Sequence, residues 1–214
     1  MDAELFPRER AQVAPGAVHV PDWLDAGRQR ELLAACRQWA RPPAGLRTVR
    51  TPGGGTMTAR QVCLGLHWYP YGYARTAVDG DGAPVKPFPA WLGELGRRAA
   101  VDALGPQEPY TYDIALINFY DRDARMGMHR DSDEQADAPV VSLSLGDTCV
   151  FRFGNSETRA KPYTDVELRS GDLFVFGGPS RLAYHGVPRV YGGTAPTGSG
   201  LSGRLNITLR VSGL

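Results

Sequence analysis

Arg204-Leu205-Asn206-Ile207-Thr208-Leu209-Arg210 alternates polar and apolar side chains at every position. A period of two puts Leu205, Ile207 and Leu209 on one face of an extended strand and Arg204, Asn206, Thr208 and Arg210 on the other. One reading of the polar face is plain solvation. The other is a pair of guanidiniums about 20 Å apart along the strand, each long enough to lean toward a small dicarboxylate between them. Working outward, Tyr112 to Tyr120, Val140 to Leu145, Cys149 to Phe153, Val166 to Arg169 and Leu173 to Phe176 read as further strands. Short strands broken by turn signals such as Ser170-Gly171-Asp172 predict an antiparallel sandwich or barrel. The 26 Gly and 17 Pro agree with that class and argue against a helical bundle.

Upstream the period changes. Ala17 to Val20 ends an irregular lead-in and reads as a short strand. Asp22 is placed to cap a helix carrying Leu24, Leu32, Leu33, Ala35 and Cys36, which ends at Arg41-Pro42-Pro43. Thr51 to Thr58 reads as a turn between two strands, Trp68 to Tyr73 as an aromatic loop, and Asp79-Gly80-Asp81-Gly82 as another turn. A second helix is expected from Pro89 to Leu104, with Trp91, Leu92, Leu95, Ala99 and Val101 inward. The stretch from Val190 to Gly200 reads as a mobile loop. The whole is two helices buttressing a C-terminal double-sheet barrel.

Bulk properties narrow the field. A chain of 214 residues with 42% hydrophobic and 22% charged residues fits one globular domain with a sizeable core. A formal charge of +1 announces no global field for nucleic acid, though a local patch would suffice. Cys36, Cys63 and Cys149 form no Cys-x-x-Cys pair, which points to a reducing, cytoplasmic setting. The N-terminal residues contain no apolar run of the signal-peptide kind, and no stretch has the roughly 20 apolar residues of a membrane span.

Among only four histidines, two have surroundings that point to chemistry. His129 and Asp131, two apart in an extended segment, project to one face, and His185 in Tyr184-His185-Gly186 is the candidate third ligand. Two imidazoles and one carboxylate hold a redox-active iron and leave positions free for an oxo-acid and dioxygen. The same ligand types also serve zinc, and His-x-Asp arises by chance. Asn118 and Tyr120, of one parity, offer further hydrogen bonds to a carboxylate. His19 and His67 read as structural.

His129-x-Asp131, His185 and Arg204-x-Asn206-x-x-x-Arg210, preceded by Asn118-x-Tyr120, resemble the bacterial AlkB proteins, iron(II)/2-oxoglutarate dioxygenases that repair alkylated DNA and RNA. Thr51 to Met57, Ala138 to Gly146, Phe151 to Gly154 and Gly177 to Gly186 look like family segments in family order, so the resemblance runs from about Ala17 to Arg210. It implies a mainly β (α+β) fold, a double-stranded β-helix of the jelly-roll, cupin-like kind. Helices and a nucleotide-recognition lid would occupy about 17–110 and the catalytic barrel about 111–214 of a single domain over 1–214. It implies Fe(II) held by His129, Asp131 and His185, with 2-oxoglutarate and O2 as co-substrates. Asn118, Tyr120, Arg204, Asn206 and Arg210 would hold 2-oxoglutarate.

On the substrate side, Trp68 matches an aromatic that stacks on a flipped base, and Asp133 an acidic residue at the base edge. Tyr73 and Arg75 match a nucleotide-contacting loop that is shorter here, and Arg159 a substrate-side arginine. Phe176 stands where a larger aromatic is usual and is not carried over. The activity implied is oxidative demethylation of 1-methyladenine- and 3-methylcytosine-type bases in single- or double-stranded DNA and in RNA. Formaldehyde, succinate and CO2 would be released by a cytoplasmic monomer with no membrane partner. Such bases are cationic, which suits Asp133, and they must leave their stack to react, which suits Trp68. Read without the resemblance, Trp68 is a buried anchor and Asp133 a solvated turn residue. The rival functions are the same oxygenase chemistry on a small molecule or peptide, and a non-catalytic cupin that binds a metal or anion.

Overall fold

The computed structural model describes residues 7–51, 53–70 and 72–214. The first six residues of the lead-in, Pro52 of the Thr51 turn and Tyr71 of the aromatic loop lie outside the described residues.

Among the described residues, the larger sheet has eight strands. Their order is β1 (Ala11–Ala14), β2 (Ala17–Val20), β12 (Leu173–Phe176), β9 (Val140–Gly146), β14 (Arg204–Arg210), β7 (Ile114–Tyr120), β4 (Thr56–Leu64) and β3 (Arg47–Arg50). A second sheet runs β11 (Thr164–Leu168), β10 (Thr148–Phe153), β13 (His185–Tyr191) and β8 (Met126–His129). The strand pairs in both sheets are antiparallel. The sheets pack face to face around Phe151, Phe153, Phe174, Phe176, Val140 and Val187, the jelly-roll arrangement expected from the sequence.

β14 decides the layering. It lies in mid-sheet between β9 and β7, so both its edges are paired. Leu205, Ile207 and Leu209 join Val141, Leu143 and Ile117 in a core beneath helices α1 (Ala26–Trp39) and α2 (Ala90–Leu104). The opposite face, with Arg204, Thr208 and Arg210, is also buried. That excludes the solvated reading: the arginines point into the barrel.

Several local expectations shift. The cap of α1 is Asp25, whose carboxylate accepts from the Arg28 amide at 2.8 Å. Asp22 instead occupies a turn at φ 53° and donates its amide to Asp172. On α2 the inward stripe is Leu92, Leu95, Gly96, Ala99, Ala100 and Ala103. Trp91 and Val101 are exposed because they fall off that i, i+3, i+4 row, and Trp91 stacks on Trp39. The aromatic loop is a hairpin of β5 (His67–Tyr69) and β6 (Gly72–Ala74), with Trp68 opposite Tyr73. The loop expected from Val190 begins only at Gly192, because Val190 and Tyr191 pair with β10.

Candidate active site

His129 and His185 are direct cross-strand partners on β8 and β13, with ring centroids 4.5 Å apart. Gly186 permits this approach, since a Cβ there would come within 2.7 Å of the Met126 carbonyl oxygen. Asp131 follows two residues beyond the end of β8. Its Oδ1 lies 3.8 Å from His129 Nε2 and its Oδ2 3.7 Å from His185 Nε2. One ligand atom from each residue falls within 4.8 Å of the others, a set able to hold one metal ion.

The donors are prepared for it. His129 Nδ1 lies 3.0 Å from the Gly127 carbonyl and His185 Nδ1 3.0 Å from that of Ala183. A carbonyl only accepts, so each ring carries its proton on Nδ1 and leaves Nε2 bare for a metal. Burial, and then the neighbouring His129, pull the His185 pKa down to about 4, which keeps it neutral near pH 7. Burial alone would raise Asp131, but the charges of Arg210, His185, His129 and Arg181 outweigh it and hold the carboxyl at about 2. Asp131 Oδ2 is buried with no hydrogen-bond partner. An ionised, unpartnered oxygen beside two bare imidazole nitrogens fits a divalent cation.

The barrel face of β14 supplies the second half. Arg204 and Tyr120 are register partners, as are Asn206 and Asn118. Arg204 is 1% exposed and donates only to Ser144 Oγ, at 3.0 Å, while its Nε and Nη1 are buried without partners. No carboxylate among the described residues pairs with it. A buried guanidinium in that condition calls for an anion. Asn206 donates to Ser142 Oγ, Asn118 accepts from Gln61, and the Tyr120 hydroxyl contacts Met126 Sδ at 3.5 Å. Arg210 differs from Arg204: it is paired with Asp131 Oδ1 at 2.7 Å and Glu134 Oε1 at 2.8 Å.

A cleft of about 540 Å³ opens onto this centre. Trp68, Asn118, His129, Asp131, Asp133, Arg159 and Arg210 of the sequence-derived set line it. Trp68 donates its indole N–H to Asp133 Oδ2 at 2.7 Å, which ties the hairpin to the segment after the metal motif. Tyr73 sits behind the wall, donating to Glu134 and lying 3.4 Å from Arg210. Arg75 does not line the cleft. It falls just past the end of β6, and its side chain has no hydrogen bond or ion pair among the described residues.

Sequence reading missed Glu134 and Arg181. Glu134 bonds Tyr73, Arg181 and Arg210, and Arg181 donates to the backbone oxygens of Asp131 and Ala138. The acidic pair Asp133-Glu134 and the Ser180-Arg181 step upstream of His185 were the available signals. Phe176 packs on His185 at 4.9 Å between centroids, a wall residue and not a cleft contact.

A jelly roll that gathers two histidines, an aspartate and a buried arginine face defines an oxygenase-type metal and oxo-acid centre. The family model described as the 2OG-Fe(II) oxygenase superfamily matches residues 16–210. An AlkB homolog described as an alpha-ketoglutarate-dependent dioxygenase from Caulobacter vibrioides is 39% identical over 92% of this chain and 88% of its own. The alpha-ketoglutarate-dependent dioxygenase AlkB of Escherichia coli is 37% identical over 78% of this chain and 77% of its own. An Arabidopsis thaliana relative, described as the DNA N(6)-methyladenine demethylase ALKBH1D, is 31% identical over 92% of this chain, which spans only 50% of that protein. The solved structure of OsALKBH1 superposes with a TM-score of 0.84 at 31% identity, covering 95% of this chain and 100% of that one. The chain belongs to the 2OG-Fe(II) oxygenase superfamily, and within it to the AlkB family. Iron(II) and 2-oxoglutarate are therefore its cofactor and co-substrate, and the His129-Asp131-His185 set could bind the iron.

Proposed function

We propose that this chain removes methyl groups oxidatively from N-alkylated bases of the 1-methyladenine and 3-methylcytosine type in DNA, and in RNA where the strand is accessible. The observation that carries the reading is the buried Arg204, two of whose nitrogens have no partner among the described residues, in the same barrel as the clustered donor atoms of His129, Asp131 and His185. The cleft above them is walled by an aromatic and a carboxylate. Relatives named as a DNA N(6)-methyladenine demethylase in Arabidopsis thaliana and as a nucleic acid dioxygenase in Homo sapiens support a nucleic-acid substrate.

In this reading His129, Asp131 and His185 hold Fe(II). Arg204 takes one carboxylate of 2-oxoglutarate, because Arg210 is already neutralised by Asp131 and Glu134. Asn118, Tyr120 and Asn206 line the same face and orient the co-substrate. When bound, iron and 2-oxoglutarate supply an oxidant that inserts one oxygen atom of O2 into a C–H bond, the other leaving in succinate as CO2 is lost. Trp68 offers a face for the flipped base to stack on, and its bond to Asp133 holds the indole in place. Asp133 places negative charge beside a cationic lesion. The hydroxylated methyl group leaves as formaldehyde when the C–N bond breaks and the base nitrogen keeps the electron pair.

Incubation of the protein with Fe(II), 2-oxoglutarate, air and a methylated single-stranded oligonucleotide should release formaldehyde and succinate in equal amounts. No formaldehyde above background removes the demethylase reading. We extend the reading to a soluble, monomeric, cytoplasmic single-domain protein, in keeping with the free, buried Cys36, Cys63 and Cys149. Sedimentation of the purified chain tests the monomer.

A further inference from the structure

The outer rim of the cleft carries a feature that neither the metal centre nor the oxo-acid site uses. Arg130 lies between the ligands His129 and Asp131 in sequence, and the strand alternation turns it outward, where it is exposed. Its guanidinium carbon sits 5.4 Å from the centre of the Tyr184 ring. Arg159, exposed on the loop after β10, brings its own guanidinium carbon to 5.6 Å from the same ring. The two cations are therefore no farther apart than the sum of these distances. All three residues line the cleft that holds His129 and Asp131. Neither guanidinium has a hydrogen bond or ion pair among the described residues.

This arrangement is built and not incidental. Tyr184 is fixed by its backbone, donating its amide to Asn155 O and accepting from the Gly154 amide, both at 2.8 Å. Asn155 also closes the loop that presents Arg159. Its side chain accepts from the amides of Glu157 and Thr158 and donates to Pro162 O. Two unpaired cations gathered at one rim attract an anion that lies along it. A guanidinium lying over a ring keeps its in-plane N–H donors free to fork onto phosphate oxygens.

We infer that Arg130 and Arg159, stacked on Tyr184, form a clamp for the sugar-phosphate backbone of a single-stranded nucleic acid whose flipped base enters the cleft. This rests on the demethylase reading above. A base buried at the metal carries its own flanking phosphates outward, and the cleft rim is where they emerge. The clamp also gives a near-neutral chain a local cationic contact for a polyanionic substrate.

Binding is measured by fluorescence polarisation of a short single-stranded oligonucleotide containing 1-methyladenine. A second oligonucleotide carries uncharged methylphosphonates on either side of that base. Arg130→Ala should weaken binding of the first about tenfold and lower the salt slope by about 0.7, the value of one single-strand phosphate contact. It should change binding of the methylphosphonate strand little, and turnover of the free nucleoside 1-methyladenosine not at all. Arg130→Lys should fall between, keeping the charge and losing the fork. Equal losses on both strands, or none on either, overturn the clamp. Because Arg130 is exposed and unbonded, an unchanged melting temperature is expected and verifies the fold. A wild-type protein that binds the strand phosphate-dependently but releases no formaldehyde condemns the demethylase reading and leaves the phosphate clamp standing.

Discussion

Arg204 shows how much one residue can decide. Its guanidinium is buried, and no group among the described residues bonds two of its nitrogens, which suits it to a carboxylate. Arg204→Ala should raise the dissociation constant of 2-oxoglutarate about 100-fold, the equivalent of roughly 3 kcal/mol for a buried charge pair. An anaerobic titration of the Fe(II) protein, followed by its charge-transfer absorption, checks this; an unchanged constant removes Arg204 from the carboxylate site. His129→Ala should abolish turnover while leaving the circular dichroism unchanged, because its ring faces the cleft and holds no core together. Retained activity would remove it from the ligand set. Much at this scale was legible in the sequence, since parity in β14 and β7 reports which side chains share a face. What parity cannot report is which of those faces is buried, or that Arg210 spends its charge on Asp131 and Glu134 while Arg204 does not. Glu134 stayed hidden for the same reason: its partners Tyr73, Arg181 and Arg210 are remote in sequence and meet only in the folded barrel.

At the scale of elements, the hairpin of β5 and β6 depends on a strut beneath it. Arg47 on β3 donates to Asp79, and also to the carbonyl of Trp68. His67 Nε2 lies 2.5 Å from the same Asp79 carboxylate. Backbone and side chain of Trp68 are therefore held separately, the one by Arg47 and the other by Asp133. Asp79→Ala should loosen the hairpin and raise KM for a methylated oligonucleotide several-fold, with kcat and the 2-oxoglutarate constant little changed. Steady-state kinetics check it; a fall in kcat at unchanged KM would show that the strut does not act through substrate positioning. Such a strut is invisible to pattern reading, which took Trp68 to Tyr73 for a loop because its aromatics and Pro70 obscure a three-residue pairing. The long alternating strands and the apolar row of α2 were readable because period and burial coincide there. Trp91 and Val101 misled for a complementary reason: they are apolar but lie off the row.

For the whole molecule, the question is what joins the N-terminal strands to the barrel that houses the chemistry. β2 pairs with β12 along the larger sheet, and the joint is closed by one carboxylate. Asp172 has no exposed side-chain surface and accepts from both Arg8 terminal nitrogens, at 2.7 and 2.6 Å. His19 Nε2 and the amides of Asp22 and Arg169 lie at 2.9, 3.0 and 2.9 Å from it. Burial alone would raise its pKa, but the bonds from His19, Arg8 and the two amides outweigh that and hold it at about 2, against 3.8 for a free aspartate. A carboxyl depressed in the folded state stabilises above the unfolded value, and that contribution is lost as pH falls from about 3.8 through about 2. The depression is equivalent to about 2 kcal/mol. Asp172→Asn should therefore lower the unfolding free energy by about that much at pH 7, and the gap between the two proteins should close as the pH is lowered through this window. Denaturant unfolding of the two chains at pH 7, 4 and 2.5 measures it. A gap that stays constant across the series would mean that packing around Asp172, and not its charge, closes the joint between the N-terminal strands and the barrel.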